Sequence, residues 1–204
     1  QGRMARVEAE ARRLKRIDPD WTIPDDLFEE PAPGPDTQPI WDLVGAERYA
    51  EARAAVAAKR GERPDWRPSA ELLRAIERGE ARVRLVNASE AGQSRAVVRI
   101  AEANPALLAC GTVDLMWRTA RAYAESGDTG AATDFYRRIM RSCADFDIRL
   151  ATLQKAHGRV DEESFAGLAE AEADRAHDQD QSARYRETLD DLSYGTRLAR
   201  LADG

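Results

Sequence analysis

Long hydrophobic runs are missing from this sequence, as are most of the residues that metal and nucleotide sites use. No window comes near eighteen consecutive apolar residues, the length that a membrane-spanning helix needs. The chain has only two histidines and two cysteines, and it contains neither a Gly-x-x-x-x-Gly-Lys-Ser/Thr phosphate loop nor a dinucleotide-binding glycine pattern. We therefore expect no cofactor, no metal site and no membrane insertion in this segment.

Aromatic residues are also scarce, at 6% of the 204 residues, and β-branched residues are few. The commonest residues are Ala, Arg, Glu, Leu and Asp, a set compatible with helices. Apolar residues make up 43% of the chain, enough for one core but not for several independent domains of this total length. The composition therefore predicts an all-helical fold.

The net charge of -6 argues against nucleic acid as a partner, because phosphate binding requires a concentrated basic face. The charge is nevertheless uneven. Basic residues crowd the first sixteen positions, and acidic residues crowd the stretch 161–191. Solvated helix faces account for both stretches, with a basic docking tail as the alternative for the first.

Prolines punctuate the sequence at similar intervals. Pro19-Asp20-Trp21 and Pro64-Asp65-Trp66 are identical tripeptides, each preceded by an Ala/Arg-rich helical pattern, and Asn104-Pro105 is a third stop of the same kind. A helix rarely continues through the residue before a proline, so each of these sites predicts a helix end. With a fourth end near Ala144, the spacing is that of helical hairpins with long helices, and the two repeated tryptophans are expected to wedge between them.

The segment 113–143 contains the clearest hairpin pattern. Apolar and small residues recur three and four positions apart on both sides of a central turn: Leu115, Met116, Thr119, Ala120 and Tyr123, then Ala132, Phe135, Tyr136, Ile139 and Met140. In the turn, Gly127 can end one helix, and Asp128 or Thr129 can cap the next. Two amphipathic helices with so short a link must pack antiparallel.

This hairpin resembles the tetratricopeptide-repeat family in Tyr123, Gly127 and Ala132-x-x-x-Tyr136, with Ala120 at the close-approach position. It departs from the family pattern at Thr119 and Trp117, and no proline closes the unit. The resemblance implies an all-α fold of antiparallel helical hairpins stacked as a divergent, tetratricopeptide-like α-solenoid. The expected divisions are a first helix and the start of the next repeat at 1–28, a proline-rich connector at 29–39, stacked hairpins at 40–157, and a C-terminal hairpin or cap at 158–204.

By the same resemblance, the first helix of each hairpin lines a groove that holds a partner. Four residues on the first helix of the 113–143 hairpin are then expected to form a binding strip: Asp114, Trp117, Arg121 and Glu125. The implied occupant is a protein or peptide, with a polysaccharide as a further alternative.

The two cysteines flank the same hairpin, since Cys110 precedes its first helix and Cys143 ends its second. An antiparallel pair brings both to one end, so a disulfide is possible if their Cα atoms lie within about 7 Å. A bridge would indicate an oxidising compartment such as a bacterial periplasm. Two buried free thiols in a cytoplasmic protein are the alternative.

No catalytic residue stands out in the sequence. His157 and His177 have no metal-ligand spacing and are expected to lie exposed, while adjacent acidic pairs such as Glu162-Glu163 suit helix starts, where the macrodipole favours negative charge. We expect a non-enzymatic protein–protein interaction scaffold. By analogy with the family, it would belong to a bacterial envelope assembly for exopolysaccharide or cellulose export. A glycan-binding or glycan-cleaving α-superhelical protein and a regulatory domain of a longer chain are the alternatives.

Overall fold

A computed structural model describes residues 2–19, 34–175 and 177–202 of the chain, and the described residues contain ten α-helices and no strand. The chain divides into two compact units, 1–36 and 37–204. The described helix of the first unit is α1, Gly2–Ile17. The second unit contains α2 Gln38–Gly45, α3 Tyr49–Glu62, α4 Ala70–Glu90, α5 Ser94–Ala103, α6 Val113–Glu125, α7 Thr129–Ser142, α8 Phe146–Ala156, α9 Glu162–Ala173 and α10 Gln179–Ala202. The prediction of an all-helical fold is confirmed for this part of the chain.

Four helices begin at a side-chain cap, in which an oxygen of the residue before the helix accepts a backbone N–H that has no partner within the helix. These caps are Ser69 with Leu72, Asp128 with Ala131, Asp145 with Ile148, and Asp161 with Ser164. The predicted turn of the 113–143 hairpin is confirmed, because Gly127 adopts a φ of +87° between α6 and the Asp128 cap of α7. This left-handed conformation favours glycine.

The proline stops fall between helices, as expected. Pro64 follows the end of α3, and Asn104-Pro105 follow the end of α5, where the Asn104 side-chain amide donates to the Ile100 carbonyl at 2.8 Å. Trp66 is half-buried against the cluster formed by α2, α3 and α4. Pro19 lies just beyond the end of α1, whereas Trp21 lies outside the described residues.

Two hydrophobic clusters form the core of the second unit. The smaller one is centred on five buried residues from α2, α3 and α4: Ile40, Ala52, Val56, Leu72 and Ile76. The larger one runs from the second half of α4 through α9 and includes Leu85, Met116, Tyr136, Leu153 and Leu168. Helix α4 therefore contributes its first half to one cluster and its second half to the other.

Helices α2 to α9 each pack on their neighbours in sequence, and several helices of the second unit also pack on second neighbours. Each even-numbered helix from α2 to α8 contacts the next even-numbered helix, and α7 also contacts α9. The apolar stripes predicted on α6 and α7 are buried in these contacts, since Leu115, Met116, Ala132 and Ile139 are all at most 3% exposed. The α6–α7 pair is thus held by the faces that its sequence indicated.

Three boundaries differ from the sequence-based expectation. The helix α2 was not anticipated, and its first residues, Gln38 and Pro39, lie at the end of the expected connector 29–39, of which residues 29–33 are outside the described part. The Ala/Arg-rich pattern that precedes Pro64 covers Ala46–Lys59, whereas the helix α3 runs over Tyr49–Glu62. In the expected C-terminal hairpin, the first helical pattern covers Glu162–His177, whereas the helix α9 ends at Ala173 and the His177 side chain is buried beyond it.

In the described ranges, no helix combines the length and apolar character that crossing a bilayer requires.

Candidate functional site

A cleft of about 220 Å³ opens between α4, α6 and α8. Three of the four residues of the predicted strip, Asp114, Trp117 and Arg121, line it. They lie on one face of α6 because they are spaced three or four residues apart. The cleft also receives five residues that the sequence did not indicate, namely Ser89, Arg118, Tyr136, Lys155 and Arg159.

Trp117 is fixed in orientation by α8. Its indole Nε1 donates to the Thr152 hydroxyl at 2.9 Å, and the Lys155 ammonium lies 4.8 Å from the centre of its ring. A cation over an aromatic face is attracted by the ring quadrupole. The tryptophan therefore positions one cation of the facing helix, and that cation lies over one face of its ring.

Basic side chains surround the cleft on two sides. Arg118 and Arg121 project from α6, one turn apart, and Lys155 and Arg159 come from the end of α8 and the turn that follows it. The guanidinium of Arg159 donates to the Lys155 carbonyl at 2.8 Å. Asp114 is the one acidic residue among those that line the cleft, so the lining carries an excess of positive charge although the whole chain is negative.

The acidic residues of the predicted strip neutralise part of this charge. Asp114 pairs with Arg118 at 2.7 Å, and Glu125 pairs with Arg121 at 2.5 Å. Hydrogen bonds from the Ser94 hydroxyl and from Arg121 hold the pKa of Glu125 below its usual value. Glu125 itself lines a different depression, beside Gln93 and Arg99, so the structure does not bring all four strip residues into one cleft.

Tyr136 forms part of the cleft floor. Its side chain is fully buried, and its hydroxyl donates to the Lys155 carbonyl at 3.1 Å. Burial raises the pKa of Tyr136, so the phenol stays neutral near neutral pH. This contact joins α7 to the end of α8 and holds Lys155 in place.

Cys110 and Cys143 are joined in a disulfide, with their Cα atoms 5.5 Å apart. Cys110 begins a short 3-10 turn before α6, and Cys143 follows the last residue of α7. The bridge closes the hairpin at the end opposite Gly127.

A second cluster of charge, which the sequence did not indicate, lies buried beside the disulfide. The guanidinium of Arg149 contacts both carboxylate oxygens of Glu172, at 2.8 and 3.0 Å, and donates to the carbonyls of Cys143 and Ala144. Arg175 Nε also lies 3.2 Å from Glu172. The Glu172 side chain is fully buried, so its carboxylate contacts Arg149 of α8 and Arg175, which follows α9, in place of water.

His177 belongs to this buried cluster, and the expectation that it lies exposed is wrong. Its side chain is 6% exposed, and Nε2 lies 2.8 Å from the Glu172 carbonyl. The ring packs edge-on against Phe146 and stacks on Tyr185, and these contacts account for its burial. His157 is half-buried against Phe165.

Hydrogen bonds lower the pKa of several carboxyl groups among the described residues. The groups are Glu51, Glu80, Glu125 and Asp161. The described residues contain no group of three His, Cys, Asp or Glu side chains arranged to hold a metal ion.

Comparisons with models of known protein families, with curated proteins and with solved structures find no match to this chain.

Proposed function

We propose that the protein is a non-enzymatic interaction scaffold whose binding face is the cleft between α4, α6 and α8. The observation that carries this proposal is the convergence of polar and charged side chains from three helices on one cleft, with Trp117 and Tyr136 fixed by hydrogen bonds beneath them. Sites that bind a partner present such pre-positioned polar groups on rigid elements. The occupant is a protein or peptide segment.

The stacked-hairpin architecture is part of the same proposal. Consecutive contacts between α4, α6 and α8 support an arrangement in which the first helices of successive hairpins lie side by side, as in tetratricopeptide-like solenoids. In such an arrangement the cleft lies on the layer that receives partners. A role in envelope or exopolysaccharide export depends on that resemblance alone.

An oxidising compartment, such as a bacterial periplasm, suits the protein best, because disulfides persist there and are rare in the cytosol. The pairing of Cys110 with Cys143 supports this choice. Thiols should be counted after alkylation of protein taken directly from its natural host. The expected result is no free thiol, and two free thiols would contradict the proposed compartment.

A glycan-cleaving enzyme is the competing function from another class. It requires a carboxyl group with a raised pKa inside a groove. Asp114 is the only acidic residue that lines the cleft, and it is paired with Arg118. The geometry therefore favours binding over hydrolysis at this site.

Selection from a random peptide library followed by site-specific photocrosslinking tests the scaffold proposal. A benzophenone amino acid would replace Arg121 in the cleft or, as a matched control, Arg137, which also forms an exposed ion pair but lies on α7 outside the cleft. Enriched peptides should crosslink at position 121 and not at position 137. No enrichment, or crosslinking at position 137 alone, would overturn the proposed binding face.

A further inference from the structure

We propose that the cleft binds an extended peptide segment through the side-chain carboxylates of closely spaced Asp or Glu residues. This inference rests on the proposed scaffold function and adds the chemistry of its partner. The cleft lining contains Arg118, Arg121, Lys155 and Arg159 but a single acidic residue, in a protein whose net charge is -6. Charge of one sign concentrated in a cleft raises the local concentration of ligands of the opposite sign.

The cations differ in how far they are already neutralised. Arg118 and Arg121 form ion pairs with Asp114 and Glu125 on their own helix. Within the described part of the chain, neither Lys155 nor Arg159 has a carboxylate within ion-pair distance. Lys155 lies over the Trp117 ring, and Arg159 donates to a backbone carbonyl and contributes to the lowered pKa of Glu125. The α8 side of the cleft is therefore ready to accept a carboxylate, whereas the α6 side must first exchange an internal partner for an external one.

The arrangement suits an extended chain better than a single anion. Each side of the cleft carries two cations. On the α6 side, Arg118 and Arg121 are three residues apart on one helix, and the Cβ atoms of such residues lie about 5–6 Å apart. On the other side, Lys155 lies near the end of α8 and Arg159 in the turn that follows it. In an extended peptide, alternate side chains share a face and are separated by roughly 6.6 Å. Carboxylates at alternate positions can therefore reach neighbouring cations on one side.

An acidic polysaccharide is the less suitable occupant. Sugar rings commonly bind on aromatic faces, and the Trp117 ring in the cleft already has Lys155 over one face and Thr152 on its indole nitrogen. The other ring of the lining, Tyr136, is fully buried. Backbone and carboxylate groups of a peptide require no such stacking surface.

Asp114 and Glu125 should compete with the carboxylates of the ligand for the cleft arginines. Substituting an acid and substituting a cation should therefore change the affinity for the peptide in opposite directions. Removing the Asp114 charge leaves Arg118 with only the longer contact to Glu90, at 4.0 Å, so Asp114→Asn is expected to strengthen binding of an acidic peptide. Removing a cation weakens it. If the substitutions acted only by disturbing the fold, both the acid and the cation substitution would weaken binding.

The test measures binding of a labelled octapeptide with a Gly-Asp repeat by fluorescence anisotropy. Its ends are acetylated and amidated, so that only the side chains carry charge, and the same peptide with Asn in place of Asp is the comparison. The wild type should bind the Asp peptide more tightly than the Asn peptide, with affinity falling as salt rises. The double variant Lys155→Met/Arg159→Met should lose about tenfold in affinity, and Asp114→Asn should gain a few-fold. Asp134→Asn, which breaks the Arg137 ion pair on α7, is the matched control and should change nothing.

Equal binding of the two peptides, or weaker binding by Asp114→Asn, would overturn the acidic class of partner. Tighter binding of a sulfated polysaccharide than of the Asp peptide would overturn the choice of a peptide. If library peptides without acidic residues crosslink at position 121, the scaffold proposal stands and this inference fails. If no peptide crosslinks there, both fail. Circular dichroism melts identify any variant that does not fold.

Discussion

The helices α2 to α4 and the helices α6 to α9 are held together by different means. The first group is centred on five buried apolar residues, and the described residues show no disulfide and no buried ion pair within it. The second group has a larger apolar cluster, a disulfide at the end of α7, and the Arg149–Glu172 pair beneath it. The proposed binding cleft is lined chiefly by this second, cross-linked group, and rigid support of that kind preserves the geometry of a binding site.

In the first group, α2 to α4, two helices approach each other closely and no cross-link joins them among the described residues. Tyr49 of α3 lies directly on Gly79 of α4, where a Cβ atom added to Gly79 would come within 2.0 Å of the tyrosine ring. This contact leaves no space for an added atom, because any such atom must displace a neighbour. The comparison therefore predicts that each group is most sensitive to a different kind of substitution.

Glu172→Ala should have the largest effect on stability. The change leaves the buried Arg149 guanidinium without its carboxylate, and breaking a buried pair in this way costs about 3–5 kcal/mol. Urea unfolding at neutral pH measures the loss. The double variant Glu172→Ala/Arg149→Leu should recover part of it, because the unpaired charge is gone. A loss below about 1 kcal/mol for the single variant would show that the pair does not anchor this group.

Removing the disulfide should have the next largest effect. The bridge spans 33 residues, and constraining a loop of this size in the unfolded chain stabilises the fold by about 2–4 kcal/mol. The double variant Cys110→Ser/Cys143→Ser should unfold at lower urea concentration than the oxidised wild type. Reductant should shift the wild type towards the variant and leave the variant unchanged. A wild type that does not respond to reductant would contradict a stabilising role.

Gly79→Ala should destabilise the α3–α4 contact by about 1–3 kcal/mol, because the new methyl group displaces the Tyr49 ring. The same substitution in a Tyr49→Ala background should instead stabilise the protein by about 1 kcal/mol, since alanine is the better helix former once the ring is gone. Thermal melts of the four proteins in this cycle provide the measurement. An unchanged sign in the two backgrounds would disprove the close approach.

Arg53→Ala should have the smallest effect, below about 1 kcal/mol, because the Arg53–Glu80 pair between α3 and α4 is partly exposed. The hydrogen bond from Arg53 holds the pKa of Glu80 below its ordinary value of 4.5. A lowered folded pKa stabilises the fold above the unfolded pKa, and this contribution disappears as the pH falls through the folded value. The difference between variant and wild type should therefore be present at pH 7 and vanish in acid below the lowered pKa. A difference that persists there would point to lost packing instead of lost charge.

The hairpin of α6 and α7 illustrates how far local sequence patterns lead. Apolar spacing predicted which faces of both helices are buried, Gly127 and Asp128 predicted the turn, and the position of the two cysteines at one end of the hairpin predicted their proximity. The short helix α2 was missed because its eight residues include Pro39 and adjoin a proline-rich stretch. One signal for the buried ion pair was available, since Arg149 stands among apolar residues of α8 at helical spacing.

What the sequence determined by itself is the helical fold class, the helix ends at the prolines and at the Gly127 turn, and the buried face of each helix of the central hairpin, because these depend on residues within a few positions of one another. Only the tertiary structure decided that Lys155 and Arg159 face Asp114 and Trp117, that Glu172 lies on Arg149, and that Tyr49 covers Gly79. Periodicity states that a helix face is apolar or polar. It does not state which helix comes to lie against that face, since this depends on how all the helices pack together.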